Sequence, residues 1–359
     1  GRIWFANSVK FVDHNSADIY SYDPCSGKTR YERHLFSQDA GQATVANGLL
    51  YWPFEDSRFS TGHGEYAVTN GSEWQWRILP DGEVFHVHAM IALKGVLFAA
   101  TGAWRGGLQR SQDGGVKWQV VYDHPTPTGS VSRITTLAVF NDKLYAGLTD
   151  YRPEGVKLLR WTGRTLEPVS GWPAGTMVTS ISSYRTRLYG VNITADGSAV
   201  WRTDGKKSQR IKNLDGYRVR GFAAGLDALW AVSASEGNGI LWRSTDGLKW
   251  DRVQEFHDSE PLDVLVHAGK VYVGTIGPNG RGTLWGPRAG SPVVTRLNPP
   301  RLAPNRRALT TEGLNHALDE LDYVLTDKAT YGNRRNRLFR ALLPFGLSGM
   351  NQVGEALLQ

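Results

Sequence analysis

Lys143-Leu-Tyr-Ala-Gly147 is one of seven near-copies of a short apolar phrase, and the recurrence of that phrase decides how the chain is read. The others are Arg2-Ile-Trp-Phe-Ala6, Leu49-Leu-Tyr-Trp52, Val96-Leu-Phe-Ala-Ala100, Arg187-Leu-Tyr-Gly-Val191, Ala228-Leu-Trp-Ala-Val232 and Lys270-Val-Tyr-Val-Gly274. Their aromatic residues, Trp4, Tyr51, Phe98, Tyr145, Tyr189, Trp230 and Tyr272, lie 47, 47, 47, 44, 41 and 42 residues apart. Such a period marks a supersecondary unit repeated along the chain. Apolar and polar positions alternate within each unit, and β-branched and aromatic residues dominate, so the elements are strands. In residues 83–124 four are expected: Phe85–Leu93, Val96–Ala103, Gly107–Ser111 and Trp118–Asp123.

Four strands per repeat of about 40–45 residues is the pattern of a β-propeller blade. The fold class expected is therefore all-β, a seven-bladed β-propeller over residues 1–299 with a C-terminal α-helical extension. The blades are placed at 1–36, 39–81, 83–124, 131–171, 175–214, 216–256 and 260–299, and the first begins at what would be its second strand. The 13 Trp, 14 Tyr, 12 Phe and 41 Gly of the 359 residues are the material of short aromatic strands and tight turns. The single cysteine, Cys25, excludes an internal disulfide and a cysteine-rich metal cluster. No apolar run approaches the roughly 20 residues of a membrane-spanning helix.

Between third and fourth strands lies a second signature. Ser111-Gln-Asp-Gly-Gly-Val-Lys-Trp118 fits Ser-x-Asp-x-Gly-x-x-Trp, and Ser244-Thr-Asp-Gly-Leu-Lys-Trp250 is one residue shorter. Thr69-Asn-Gly-Ser-Glu-Trp74 and Thr203-Asp-Gly205 are degenerate copies. Here the chain resembles the Asp-box (BNR, sialidase-like) propellers, which include sialidases, other glycan-active enzymes and non-catalytic assembly factors. In such a box the aspartate accepts hydrogen bonds from its own turn, glycine takes the unusual backbone angles and tryptophan packs on the sheet. Ser111, Asp113, Gly115, Trp118, Ser244, Asp246, Gly247 and Trp250 are thus assigned a structural role.

Ligands are expected on loops held by this scaffold. Each first hairpin reads as sharing a two-residue turn, so counting twelve back from the repeat aromatic finds equivalent innermost positions. These are Asp39, His86, Arg133, Met177, Arg218 and Glu260; ten back lie Gly41, His88, Thr135, Thr179, Arg220 and Leu262. The second-to-third-strand loops add His63, Trp104, Arg105, Tyr151, Arg152 and Glu236. Arginine pairs bidentately with carboxylates and sulfates, and aromatic faces suit sugar rings. The expected ligand is an anionic glycan, uronate or sulfated, bound by His63, Trp104, Arg105, Arg133, Arg152, Arg218, Arg220, Glu236 and Glu260. The bland alternative is that these arginines pair with Asp39, Glu260 and Glu236 and merely fill a polar channel.

Cleavage by β-elimination needs a base and cations for the enolate, as in the polysaccharide lyases that the chain resembles in blade number. His86 or His88 would be the base, Tyr151 the acid and Arg133 and Arg218 the carboxylate neutralisers. A sialidase-like hydrolase ranks third, because Arg2-Ile3-Trp4 departs from that family's Arg-Ile-Pro motif. No cofactor is assigned; His63, His86 and His88 are the only candidate ligands for a divalent metal.

After Pro299-Pro300 the composition changes. Glu312–Thr326 and Asn333–Leu343 have helical apolar spacing, and Arg334, Arg335, Arg337 and Arg340 make the second basic. This tail is expected to dock on the propeller or on a protein partner, with membrane-surface contact as a lesser option. The scaffold alternative follows: a non-catalytic assembly factor holding a protein through the propeller face and tail. The formal charge of +7 is modest and no nucleic-acid motif is present, so nucleic acid is not an expected partner. The Asp-box resemblance implies an exported protein, periplasmic, cell-surface or secreted.

Overall fold

The computed structural model describes residues 1–10, 15–35, 40–54, 64–80, 84, 86–102, 104–235, 237–277, 282–288 and 290–297. His63, Asp39, Glu236 and the helical tail lie outside the described residues. The regular elements among the described residues are antiparallel-paired strands and one turn of 3-10 helix at Lys212–Leu214, with a single parallel bridge between Gln42 and Ala89.

Two compact bodies are present. The first holds β1 (Ile3–Lys10), β2 (Asn15–Asp23) and β3 (Lys28–Leu35), paired in that order. Ser21 and Arg2 both bond the Glu32 carboxylate, clipping its three strands together.

The second body, Gly41–Ser57 with Gly62–Leu297, is a run of four-stranded meanders. The first quartet is β4 (Thr44–Ala46), β5 (Leu49–Pro53), β6 (Glu65–Thr69) and β7 (Trp74–Ile78). Next come β8 (His86–Leu93), β9 (Val96–Gly102), β10 (Gly107–Ser111) and β11 (Gln119–Asp123). These match the four strands expected in residues 83–124 to within a residue at each described end. The third quartet is β12 (Ser132–Phe140), β13 (Lys143–Asp150), β14 (Leu158–Trp161) and β15 (Leu166–Pro168). The fourth is β16 (Met177–Tyr184), β17 (Arg187–Thr194), β18 (Gly197–Thr203) and β19 (Ser208–Arg210). The fifth is β20 (Arg218–Ala224), β21 (Leu229–Ser235), β22 (Asn238–Ser244) and β23 (Asp251–Phe256). The last is β24 (Glu260–His267), β25 (Lys270–Ile276), β26 (Gly282–Arg288) and β27 (Ser291–Arg296).

The period of two explains how quartets stack. Successive side chains of a strand point to opposite faces, so each second strand feeds two cores. On β9, Leu97 and Ala99 join a cluster with Tyr51, Tyr66 and Met90, while Phe98 and Ala100 join one with Ile134, Leu144 and Leu159. Among the described residues five such clusters occur, each shared by two consecutive quartets. The core is therefore a series of layers between sheets, and burial of each large aliphatic or aromatic residue contributes about 1.5–3 kcal/mol.

The aspartate turns are packed by the preceding quartet. Asp113 Oδ1 accepts from Ser111 Oγ (2.8 Å) and from the Val116 and Lys117 amides (3.1 and 2.9 Å). Tyr51 and Tyr66 then donate to the carbonyls of Gly114 and Gly115 (3.1 and 2.8 Å), and Trp118 Nε1 donates to Tyr66 Oη (3.0 Å). Gly115 has φ +86°, and a Cβ there would meet Tyr66 Oη at 2.8 Å. Downstream, Tyr184 donates to Thr245 O (3.2 Å) and Tyr189 Oη lies against Gly247, while Tyr145 Oη approaches Gly205. The repeat tyrosines 51, 145 and 189 thus each receive the turn of the following quartet. Phe98 and Trp230 have no hydroxyl, and the turns after them, at Thr162–Thr165 and Arg288–Ser291, carry no Asp-Gly pair.

Candidate functional site

The count of twelve lands on strand starts. β8, β16, β20 and β24 begin at His86, Met177, Arg218 and Glu260, and β12 begins one residue before Arg133. The tight turns that justify the count are present at Asn47-Gly48, Lys94-Gly95, Asn141-Asp142 and Ala268-Gly269, all with positive φ. At β20–β21 pairing stops one step earlier, between Ala224 and Leu229, but the register is unchanged.

A feature that sequence counting did not reveal sits two residues further in. Every one of these first strands is bulged: between Val87 and Ala89, Ile134 and Thr136, Thr179 and Ser182, Val219 and Gly221, and Pro261 and Asp263. The skipped residues include His88, Thr135, Arg220 and Leu262, four of the six lying ten back from the aromatic, while on β16 Thr179 stays paired and Ser180 and Ile181 are skipped. A bulge leaves its extra residue out of the ladder and re-aims its side chain.

On β8 the outcome is a stacked imidazole pair, with His86 and His88 centroids 5.4 Å apart and planes 30° apart. His88 is buried and its Nε2 has no hydrogen-bond partner. Arg133, on the neighbouring β12, pairs with Gly102 across from His86, and its Nε and the Thr135 hydroxyl are likewise buried without partners. Burial, reinforced by the Arg133 charge, lowers the His86 pKa to about 4. Burial, then His86 and Arg133, lowers that of His88 to about 3. Both rings are neutral at pH 7 and make weak bases.

The remaining arginines differ. Arg218 and Arg220 both reach Glu260 Oε2 (3.2 and 3.6 Å), and Glu260 Oε1 accepts from the Gly237 amide (3.1 Å). Arg105 pairs with Asp123 (3.1 Å). Arg152 grips Asp150, with its Nη2 2.5 Å from Oδ2. Arg218 and Arg220 therefore share Glu260, the pairing the alternative reading expected of them, rather than standing as free arginines. Among the described residues Arg133 is the candidate arginine without a carboxylate partner. Desolvation raises the Asp263 pKa to about 6, opposed by the hydrogen bond its carboxylate accepts from the Val264 amide (2.8 Å).

Asp150 organises a network that sequence reading missed. It is 2% exposed and accepts from His124 Nε2 (3.0 Å) and Arg152, with Lys157 Nζ at 3.5 Å and itself 4% exposed. Tyr122 Oη meets His124 Nδ1 at 2.9 Å, and desolvation pushes the phenol up to about 12. Through Thr126 and Ser132, which accepts from the Gly106 amide (2.7 Å), the network braces the loops that carry Trp104-Arg105 and Tyr151-Arg152. Trp104 and Tyr151 are 72% and 65% exposed, so their ring faces are open to a ligand. No helix among the described residues could span a membrane, and no group of three metal-ligating side chains converges among them.

No family model matches the chain. Among solved structures, it is similar to the β-propeller domain of the Trilobed protease from Pyrococcus furiosus, with a TM-score of 0.55 and 11% identity over 82% of this chain and 94% of that one. It is also similar to a putative 6-phosphogluconolactonase from Bacteroides fragilis (TM-score 0.55, 10% identity, 83% and 94% covered). An acylaminoacyl peptidase from Pyrococcus horikoshii gives 0.56 at 10% identity, over 83% of this chain but 51% of that one. At these identities the likeness is of fold: the chain is an all-β protein of the β-propeller kind.

Proposed function

We propose that the protein is a seven-bladed Asp-box propeller, with β1–β3 counted as the first blade and the C-terminal helices as an extension, that binds an anionic glycan. The anion sits at the His86–His88–Arg133 end of the first strands of their quartets, and sugar rings stack on Trp104 and Tyr151. One observation carries this reading: Arg133 has no carboxylate partner among the described residues and lies on the strand next to the buried, unpartnered His88 Nε2, whereas Arg105 and Arg152 each meet a carboxylate and Arg218 and Arg220 share Glu260. The Arg133 Nε is buried without a hydrogen-bond partner, and an anionic ligand would supply one.

Binding is favoured over cleavage. A general base works best with a pKa near the working pH, and imidazoles at about 4 and 3 are too weak for β-elimination. Anionic glycans are met outside the cell, consistent with an exported protein. The test is a glycan array of uronate and sulfated polymers probed with the full chain and with Arg133→Gln. Retention by the first and loss by the second is the expected result. A blank array for the full chain would favour the assembly-factor reading, in which the propeller face and tail hold a protein.

A further inference from the structure

We infer that Asn70 is a site of spontaneous modification, at which the turn promotes attack of the Gly71 amide on the Asn70 carboxamide and converts the residue to an acid with loss of ammonia. Four Asn-Gly pairs occur in the sequence, at Asn47, Asn70, Asn238 and Asn279, and the last lies outside the described residues. A following glycine has no Cβ to block the approach of its own nitrogen, so every pair is a candidate by composition. The structure separates them.

Asn70 is exposed in the β6–β7 turn, and its Oδ1 accepts three hydrogen bonds, from the Ser72 amide, Ser72 Oγ and the Glu73 amide, each at 2.9 Å. As Gly71 N attacks Cγ, negative charge builds on that oxygen, and donors already aimed at it stabilise the charge. The nucleophile is held as well: the Gly71 amide donates to the buried Thr69 Oγ1 (2.9 Å). The N–Cγ bond forms and the Gly71 proton passes to water. The Cγ–Nδ2 bond then breaks as the nitrogen takes up a proton and leaves as ammonia. Water opens the cyclic imide to aspartate or its β-linked isomer.

The fold already contains the product. Thr203-Asp204-Gly205 is the same turn with an acid in place: the Gly205 amide donates to Thr203 Oγ1 (3.0 Å), and Asp204 Oδ1 accepts from the Lys206 and Lys207 amides (2.9 and 2.8 Å). Asp246 Oδ1 accepts likewise from the Leu248 and Lys249 amides (2.7 and 2.8 Å). Those amides hold the Asp204 and Asp246 carboxyls below their ordinary pKa. An aspartate at position 70 inherits the equivalent pair of donors and strengthens it with its charge. The other two described pairs are built differently. Asn47 stands at φ +51° in the β4–β5 turn. Asn238 lies in β22, where its Oδ1 accepts from the Asp258 amide (3.1 Å) and Gly239 is paired on both sides of the ladder. Among the described residues neither has more than one donor on its Oδ1.

The inference is tested by incubating the full chain in mildly alkaline buffer and mapping its peptides by mass spectrometry, with both acid isomers counted together. Trypsin places Asn47, Asn70 and Asn238 on separate peptides. In the folded chain Asn70 is expected to convert about tenfold faster than Asn47 or Asn238, a small part of what oriented donors contribute in enzymes. In urea, where the turn is gone, the three rates should converge. Ser72→Ala removes one of the three donors and should slow Asn70 several-fold while leaving Asn47 and Asn238 unchanged. Asn70→Asp, which is the product itself, should melt no lower than the unaltered chain. Conversion of Asn70 in the folded chain no faster than Asn47 or Asn238 would overturn the inference, and so would an unchanged rate in folded Ser72→Ala.

Discussion

The β8–β12 pair and the β20–β24 pair present the same repeat positions and meet opposite electrostatic fates. At β20 and β24 the residues twelve and ten back are Arg218, Arg220 and Glu260, and they close on one another. At β8 and β12 the corresponding residues are His86, His88, Arg133 and Thr135, which carry one charge and no acid. A repeat makes backbone positions equivalent, but a change of residue type at one of them decides whether a site is internally satisfied or left to a ligand. Asp150, close by on β13, shows what full satisfaction looks like, since His124, Arg152 and Lys157 surround it.

The largest effect should come from breaking that satisfied network. Asp150→Asn leaves Lys157 buried without its counter-charge, which costs about 3–5 kcal/mol. A fall in Tm of roughly 10 °C follows for a chain of this size. Glu260→Gln breaks a more exposed pair and should cost under about 1 kcal/mol. Equal Tm losses for the two variants would remove the distinction between the two kinds of pairing.

Next comes pH. Both β8 imidazoles have pKa values below their ordinary 6.5, so the unfolded chain takes up protons that the folded chain refuses. Their contribution is complete above about pH 6.5 and is lost as pH falls toward about 4 and then about 3, at about 1.4 kcal/mol per pH unit for each ring. A His86→Asn/His88→Asn variant should show a flatter Tm profile between pH 6.5 and pH 4, measured by calorimetry. An unchanged slope would mean that other groups dominate acid destabilisation.

Arg133→Gln should act on the same rings more gently. With the neighbouring cation gone, both imidazoles titrate at higher pH, although burial, the larger cause, still holds them below 6.5. The shift is readable from imidazole proton NMR, and no movement would place Arg133 outside their field. The smallest effect is expected from Glu260→Gln in binding. Freeing Arg218 and Arg220 of their shared carboxylate should raise affinity for anionic oligomers by a few-fold. A loss of affinity instead would move the anion toward β20.

Much of the fold was legible in the residues. Alternation and the 41–47-residue spacing specify strands, their count per repeat and even the first residue of most inner strands. The turn aspartates 113 and 246 were also readable as structural, because their oxygens are consumed within the turn. His86, His88 and Arg133 could be flagged by counting. The bulges that set His88 and Thr135 apart could not, since one extra residue in a ladder leaves no compositional trace. Nor could the Asp150 network, whose members Tyr122, His124 and Lys157 come from one strand and two loops. A signal existed only in hindsight: Asp150 and Lys157 flank the very loop that carries Tyr151 and Arg152.

The sequence by itself determined the strands, the repeat and the self-bonded aspartate turns, because these depend on local period and on residues within one turn. Only the tertiary structure decided which arginines keep their charge available. Arg218 and Glu260 are 42 residues apart in the chain, and pairing falls off within a few ångströms, so the fate of each charge is set by which strands the fold brings side by side.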